Sequence, residues 1–181
     1  LGIGRDKNRC AEAAKRLLDE FKGAQVKYFY ADLMHMSQQK RVCDDIIEYL
    51  RGNKIYALIN NAGCVRSWYS TTEDGYEQQF ALNHLAGFYI TYKLLNCIQE
   101  QGIIIFTGSN SHKMTKVRWE DIMLTKRYNP LFAYKQSKLC NMLFAYRLKK
   151  LCSEKYINVY VVDPGLVNTG IGNKETGWLV N

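Results

Sequence analysis

A chain of 181 residues, 47% of them hydrophobic, is long enough to bury the core of one α/β domain, and residues 1 to 181 read as a single domain without repeat, low-complexity segment or linker. The net charge of +8 is scattered rather than gathered into a basic run, and without a helix-turn-helix, zinc or RNP-like signature it does not argue for nucleic acid. Cysteines at 10, 43, 64, 97, 140 and 152 have neither metal-ligand spacing nor secreted-scaffold density, which favours an intracellular, reducing compartment.

Taken in chain order, "LGIG" raises the question of a nucleotide-binding glycine turn, but Leu1 leaves no room for the strand that must precede one. Residues 7 to 22 place Cys10, Ala13, Ala14, Leu17, Leu18 and Phe21 on one helix face, with Gly23 as C-cap and Asp6 as N-cap. "QVKYFYADL" reads as a strand. A second helix opens near Ser37, burying Val42, Ile46, Ile47 and Leu50, and "KIYALINNAG" is a strand with its turn.

One long helical region is expected from Glu73 to Gln99. The apolar run "GIIIFTGS" has the composition of a strand buried on both faces. Residues 110 to 130 are irregular, 131 to 154 helical, and "INVYVVDPG" forms a last strand ending in a turn. Strands alternating with helices predict a parallel sheet covered on both sides. No apolar stretch approaches the roughly 18 residues that span a bilayer, so a membrane anchor would lie outside the given chain.

Such sheets bind ligands beyond the carboxyl ends of their strands. Arg5, Asp32, Asn60 to Gly63, Ser109, and Pro164 with Gly165 all fall there. Tyr134 and Lys138 lie four apart on one helix face, and a phenol with a pKa of about 10 needs a nearby cation to act near neutrality. Tyr89 with Lys93 and Tyr146 with Lys150 share that spacing, but only Tyr134 starts its helix just after a loop leading from a strand-end serine. Core packing with a solvated lysine is expected for the other two.

"NNAG" at 60 to 63, "LNHLAGF" at 82 to 88, "TGS" at 107 to 109, "YKQSK" at 134 to 138 and "DPGLVNT" at 163 to 169 occur in one order and spacing. In these motifs the chain resembles the short-chain dehydrogenase/reductase family, in the flavour of its retinol-dehydrogenase-like branch. The resemblance implies a Rossmann-type doubly wound parallel sheet and an NAD(P)-dependent oxidoreductase acting on a small lipophilic alcohol or carbonyl. Its catalytic tetrad falls on Asn83, Ser109, Tyr134 and Lys138. Tyr134 would exchange a proton with the substrate oxygen, Ser109 would hold that oxygen, Lys138 would also grip the nicotinamide ribose, and Asn83 would help hold a proton-relaying water.

By the same resemblance, Asp32 and Leu33 meet the adenine, and Asn60, Ala62 and Gly63 let the cofactor's backbone come close. Pro164, Gly165, Val167 and Thr169 lie beside the nicotinamide. Asn60 is expected to tie neighbouring strands. His35, His84 and His112 lack metal-ligand spacing and are read as polar or capping residues. Family members often dimerise through the helices around Asn83 and Tyr134, so a homodimer is an expectation.

Counting elements against the family assigns "LGIG" to the second strand of the fold. The chain is therefore expected to be a fragment lacking the first strand and helix and the C-terminal strand. Arg5, following Gly4 where NAD-dependent members carry an acid, favours NADP over NAD. A missing central strand should leave a gap near twice the 4.8 Å strand spacing or force the sheet to close up. The competing expectation is a non-catalytic relative acting through protein contacts.

Overall fold

The computed structural model describes residues 1–165. Five parallel strands alternate with helices: β1 (Gly2–Gly4), α1 (Lys7–Glu20), β2 (Tyr28–Tyr30), α2 (Met36–Leu50), β3 (Ile55–Asn60), α3 (Gln78–Phe80), α4 (Ala86–Leu94), β4 (Ile98–Thr107), α5 (Pro130–Leu151) and β5 (Asn158–Val162). This is the expected α/β Rossmann-type architecture. β1 pairs with β2, while β3, β4 and β5 form a second sheet with β4 in the middle.

The expected gap is present, between β1 and β3. A cavity of about 560 Å³ separates them, walled by Gly2, Ile3, Ile55 and Leu58 and floored by Ile46 of α2 and Ile90 of α4. The facing edges of β1 and β3 are unpaired with each other, and helix packing holds the two sheets together instead. Val42, Cys43, Ile46 and Leu50 of α2 and Ile90 and Leu94 of α4 form one buried cluster, against which Ile3 and Phe29 of the first sheet and Ile55 and Leu58 of the second all pack.

The opening glycines have a packing role. A Cβ on Gly2 would meet the Tyr28 ring and one on Gly4 would meet the Cys10 sulfur. Since Gly4 faces α1 and Ile3 faces the α2 cluster, alternation along the strand sets α1 and α2 on opposite sides of the first sheet.

The second sheet is covered on one side only among the described residues, which corrects the expectation of cover on both faces. Ile104, Phe106 and Val159 point into a core with Ala145 and Leu148 of α5. Paired residues in a parallel sheet share a face, so the row Ile59, Ile105, Tyr160 lies on the other side. There Ile59 is 61% and Tyr160 51% exposed.

Two helices depart from their sequence patterns. α1 stops at Glu20 and buries only Cys10, leaving Leu17, Leu18 and Phe21 exposed, because it has just the narrow β1–β2 pair to cover. In α2, Val42, Ile46 and Leu50 are buried as expected, but Ile47 is exposed. The single helix expected over 73 to 99 begins only at Gln78, capped by Glu77, and is broken by a π-helical turn, Ala81–Leu85. No helix among the described residues is long and apolar enough to cross a membrane.

One-sided burial has a measurable consequence. Phe106→Ala, on the covered face, should cost about 3–5 kcal/mol in urea unfolding. Ile59→Ala, on the bare face, should cost under about 1 kcal/mol. Equal losses would contradict the arrangement.

Candidate active site

α5 opens on Asn129, whose side chain accepts from the Phe132 amide at 2.8 Å, with Pro130 in the first turn where its missing N–H costs nothing. One and two turns further on, the helix presents Tyr134 and Lys138 beside the carboxyl end of β4. Lys138 is 4% exposed, and its Nζ donates to the Thr107 carbonyl at 2.9 Å. Desolvation holds the ammonium below the usual lysine range.

Ser109 follows β4 after Gly108; its Oγ accepts from the Ser111 amide at 3.3 Å and the Ser111 hydroxyl at 3.0 Å, and it lies close enough to the Tyr134 phenol to pull that group's pKa down. The two candidate hydroxyls are therefore neighbours in one cleft. The sign of the expected perturbation differs, however. The phenol is pushed up by burial and by the Asp163 carboxylate, with Ser109 pulling the other way. Lys138 does not acidify it here, because the ammonium lies 5.6 Å from the ring centroid and is turned to Thr107.

The π turn supplies the third candidate. Its extra residue rotates Asn83 inward, where it is 4% exposed. Asn83 Oδ1 accepts from the Cys64 amide at 2.7 Å, and Nδ2 donates to the Cys64 carbonyl and to Ser137 Oγ, both at 3.0 Å. The Asn83 carbonyl accepts from Asn141 Nδ2 at 2.8 Å. The side chain thus clasps the turn after β3 against α5. A Cβ on Gly63 would come within 3.2 Å of Asn83 Oδ1 and 4.0 Å of Lys138 Nζ, so glycine keeps this approach open.

Asn60 does not tie neighbouring strands as expected. Its Nδ2 donates to Thr91 Oγ1 of α4 at 3.0 Å, and the strand-to-strand tie is Thr107 Oγ1 to Asn61 Oδ1 at 2.8 Å. Asn60 and Asn61 point to opposite faces of β3, and only the latter shares a face with Thr107. Ala62 follows at the rim of the cavity.

At the ends of β1 and β2, Arg5 pairs with Asp32 at 3.6 Å, an exposed contact that an anion could displace. Asp32 Oδ1 also accepts from the Met34 amide, closing the turn into α2, and Leu33 lines the cavity. Asp6 caps α1 through the Arg9 amide, as expected.

Of the other tyrosine–lysine pairs, Tyr89 is half-buried, whereas Tyr146 is not packed in the core. Tyr146 is 65% exposed with Lys150 over its ring, and Lys93 pairs with Asp44. Val167 and Thr169 lie outside the described residues.

Sequence reasoning gave no role to Asp163, Ser137 or Asn141. Asp163 accepts from the Asn110 and Gly165 amides at 2.8 and 2.9 Å, bracing the segment after Ser109 against the Pro164–Gly165 turn, where Gly165 has φ +71°. Ser137 and Asn141 follow Tyr134 at helical intervals of three and seven, a signal readable in principle. His84 meets Asn141 at 3.0 Å and His112 meets the Ser109 carbonyl at 2.6 Å, so both hold site backbone or side chains in place. No metal-holding cluster occurs among the described residues.

These residues make one polar cleft at the carboxyl ends of β3, β4 and β5: two neighbouring hydroxyls, a desolvated ammonium with donor capacity beyond Thr107, and a glycine-lined approach. Short chain dehydrogenases as a family match residues 1–179, and the chain belongs to that family. It is 32% identical over 180 residues to mouse (Mus musculus) retinol dehydrogenase 14, covering 93% of this chain and 53% of that protein. To human (Homo sapiens) polyprenol dehydrogenase it is 29% identical over 197 residues, covering 98% and 58%.

The chain therefore spans about half the length of the curated relatives it matches. A protein of known structure from Mycobacterium paratuberculosis superposes with a TM-score of 0.77 at 30% identity, over 95% of this chain and 61% of that one. An alcohol dehydrogenase from the archaeon Thermococcus sibiricus, solved with 5-hydroxy-NADP, gives 0.72 at 17% identity, over 98% of this chain and 70% of that one, a likeness of fold alone.

The charges facing Tyr134 set its titration. Asp163→Asn should lower the Tyr134 pKa toward the ordinary phenol value, and Ser109→Ala should raise it further, both read from the Tyr134 Cζ resonance in carbon-13 NMR. Opposite movements would contradict the assignment of these two neighbours.

Proposed function

We propose that the whole protein is an NADP-dependent oxidoreductase that moves hydride between the nicotinamide and a lipophilic alcohol or carbonyl. The observation that carries this reading is the convergence of three groups at the carboxyl end of β4: Ser109, Tyr134, whose phenol Ser109 is near enough to perturb, and the buried Lys138 held on the Thr107 carbonyl.

In the reduction direction, the Ser109 hydroxyl donates to the substrate oxygen and the Tyr134 phenol gives it a proton as negative charge develops there. A phenol is protonated at neutral pH even at its ordinary pKa of about 10, the form a proton donor needs, and burial shifts this one further up. For Lys138 to stabilise the phenolate left behind, its ammonium would have to turn from the Thr107 carbonyl toward the ring, whose centroid lies 5.6 Å away. Asn83 acts through position, clasping Cys64 to Ser137, one helical turn after Tyr134. The cofactor supplies or accepts the hydride.

The residues fit that cofactor. Lys138 Nζ has donors beyond its one bond to Thr107, Gly63 leaves open the space a Cβ would fill, and Asn60, Ala62, Pro164 and Gly165 lie along the same strand ends. Asp32 and Leu33 stand at the adenine end. Arg5, 58% exposed in its side chain and paired among the described residues with Asp32, is placed to meet a 2′-phosphate, which favours NADP over NAD. By the family motif, Val167 and Thr169, which lie outside the described residues, are also assigned to the cofactor.

Lipophilic substrate chemistry is supported by the names of the relatives, a retinol and a polyprenol dehydrogenase, and by Met114 and Trp119. These two are 68% and 70% exposed on the segment joining Ser109 to Tyr134. Exposed Phe88 and Tyr92 on α4 and Leu143 and Tyr146 on α5 suit a homodimer through those helices. A non-catalytic reading is not favoured, since all four tetrad positions carry the residues the chemistry requires.

Tyr134→Phe in the whole protein should abolish reduction of all-trans-retinal by NADPH while NADPH binding, followed by fluorescence, stays within about threefold. Retained turnover would refute the assignment. Arg5→Ala should raise KM for NADPH by about tenfold and leave KM for NADH nearly unchanged. Equal effects on both cofactors would remove Arg5 from the phosphate site.

A further inference from the structure

Away from the reacting groups lies a buried carboxylate that the mechanism does not use. Glu77 is 1% exposed, and burial pushes its carboxyl up against the opposing pull of its hydrogen bonds and of Arg66. Its Oε1 accepts from the Gln79 amide and the Tyr128 hydroxyl, both at 3.0 Å, and its Oε2 from the Phe80 amide at 2.7 Å. The carboxylate thus satisfies the first amides of α3 and reaches across to the loop before α5.

Gln79, fully buried, completes the bridge. Its Nε2 donates to Tyr128 Oη at 2.9 Å and to the Pro130 carbonyl at 3.0 Å, while its Oε1 has no partner among the described residues. Flipping that amide would set an acceptor against the Pro130 carbonyl, so its orientation is fixed. Tyr128 is further held by an edge-to-face contact with Tyr69 at 5.4 Å.

Pro130 begins α5, and Tyr134 lies one turn later. Beyond Tyr134, the same helix is tied to the π turn a second time, by Asn83 with Ser137 and by Asn141 with the Asn83 carbonyl. Tyr134 is therefore bracketed by polar tethers at 130 and at 137–141, both running to the segment that starts at Glu77. Seven residues of helix separate the brackets, about 10 Å.

We propose that Glu77, Gln79 and Tyr128 are positioning residues, whose buried tether fixes the first turn of α5 against the π-turn segment and so sets where the Tyr134 phenol stands relative to Ser109. This rests on the oxidoreductase reading for its kinetic consequence and not for its structural one. None of the three needs to touch substrate. A phenol displaced by a fraction of a turn loses its alignment with Ser109 while the strand ends that receive the cofactor stay where they are.

The test uses Tyr128→Phe, which removes one hydroxyl and keeps the ring, and Glu77→Gln, which keeps the shape and loses the charge. In the whole protein, kcat for all-trans-retinal with NADPH should fall about 10- to 100-fold in each, with KM for NADPH within about twofold. Amide exchange at Asn83 and Tyr134 should quicken and the Tyr134 Cζ resonance should move, while exchange at Ile104 stays as in the parent. A merely structural role would speed exchange at Ile104 as well and leave kcat of the folded fraction intact, and that result overturns the proposal.

If Glu77→Gln does not fold, Tyr128→Phe carries the test alone. Should the parent protein reduce no retinal, the oxidoreductase reading fails, yet the resonance arm still decides the tether. An unmoved Tyr134 signal in Tyr128→Phe overturns it.

Discussion

Lys138 keeps only 4% of its surface in contact with solvent, and an ammonium in that position must be compensated by oriented oxygen atoms or it will shed its proton. The Thr107 carbonyl at the last residue of β4 supplies one such atom. That bond fixes α5 against the carboxyl end of the sheet and determines which part of the helix faces the segment carrying Ser109. Tyr134 inherits its place from the same geometry, because it stands one helical turn before the lysine. Asn83 and Gly63 close the other side, the asparagine by clasping Cys64 and the glycine by leaving room beside Nζ.

The site sits on the better-built half of the molecule. β3, β4 and β5 share an apolar core with α5, whereas β1 and β2 join that half through the α2–α4 cluster across a cavity. The candidate nicotinamide and substrate groups, Ser109, Tyr134, Lys138 and Asp163, all belong to the continuous sheet and its helix. Arg5 and Asp32, which would hold the far end of a dinucleotide, belong to the other piece. Any ligand that spans both would couple two bodies whose facing strands exchange no hydrogen bonds.

Much of this was legible in the residues. Apolar runs and their turns located four of the five strands, counting elements against the family located the first, and helix spacing put Tyr134 and Lys138 on one face. Other features depend on partners that spacing does not name. The burial of Leu17, Leu18 and Phe21 failed because periodicity says which face is apolar without saying how much sheet lies beneath it. Asn60 and Asn61 are neighbours in sequence but face opposite sides, so register alone decides that Asn61 meets Thr107. The π turn at 81–85 was read as regular helix, since nothing in its composition marks the extra residue that turns Asn83 inward. Spacing puts a lysine near the Tyr134 phenol but does not show that burial pushes that phenol up or that the ammonium donates to the Thr107 carbonyl.

Reduction of an aldehyde with specifically labelled cofactor tests the central claim most directly. The whole protein would be given NADPH carrying deuterium at C4 of the nicotinamide and all-trans-retinal, and the alcohol formed would be weighed by mass spectrometry. The account predicts product heavier by one deuterium when the label is on the transferred face. Cofactor bound at the strand ends with no labelled alcohol from either face would contradict it.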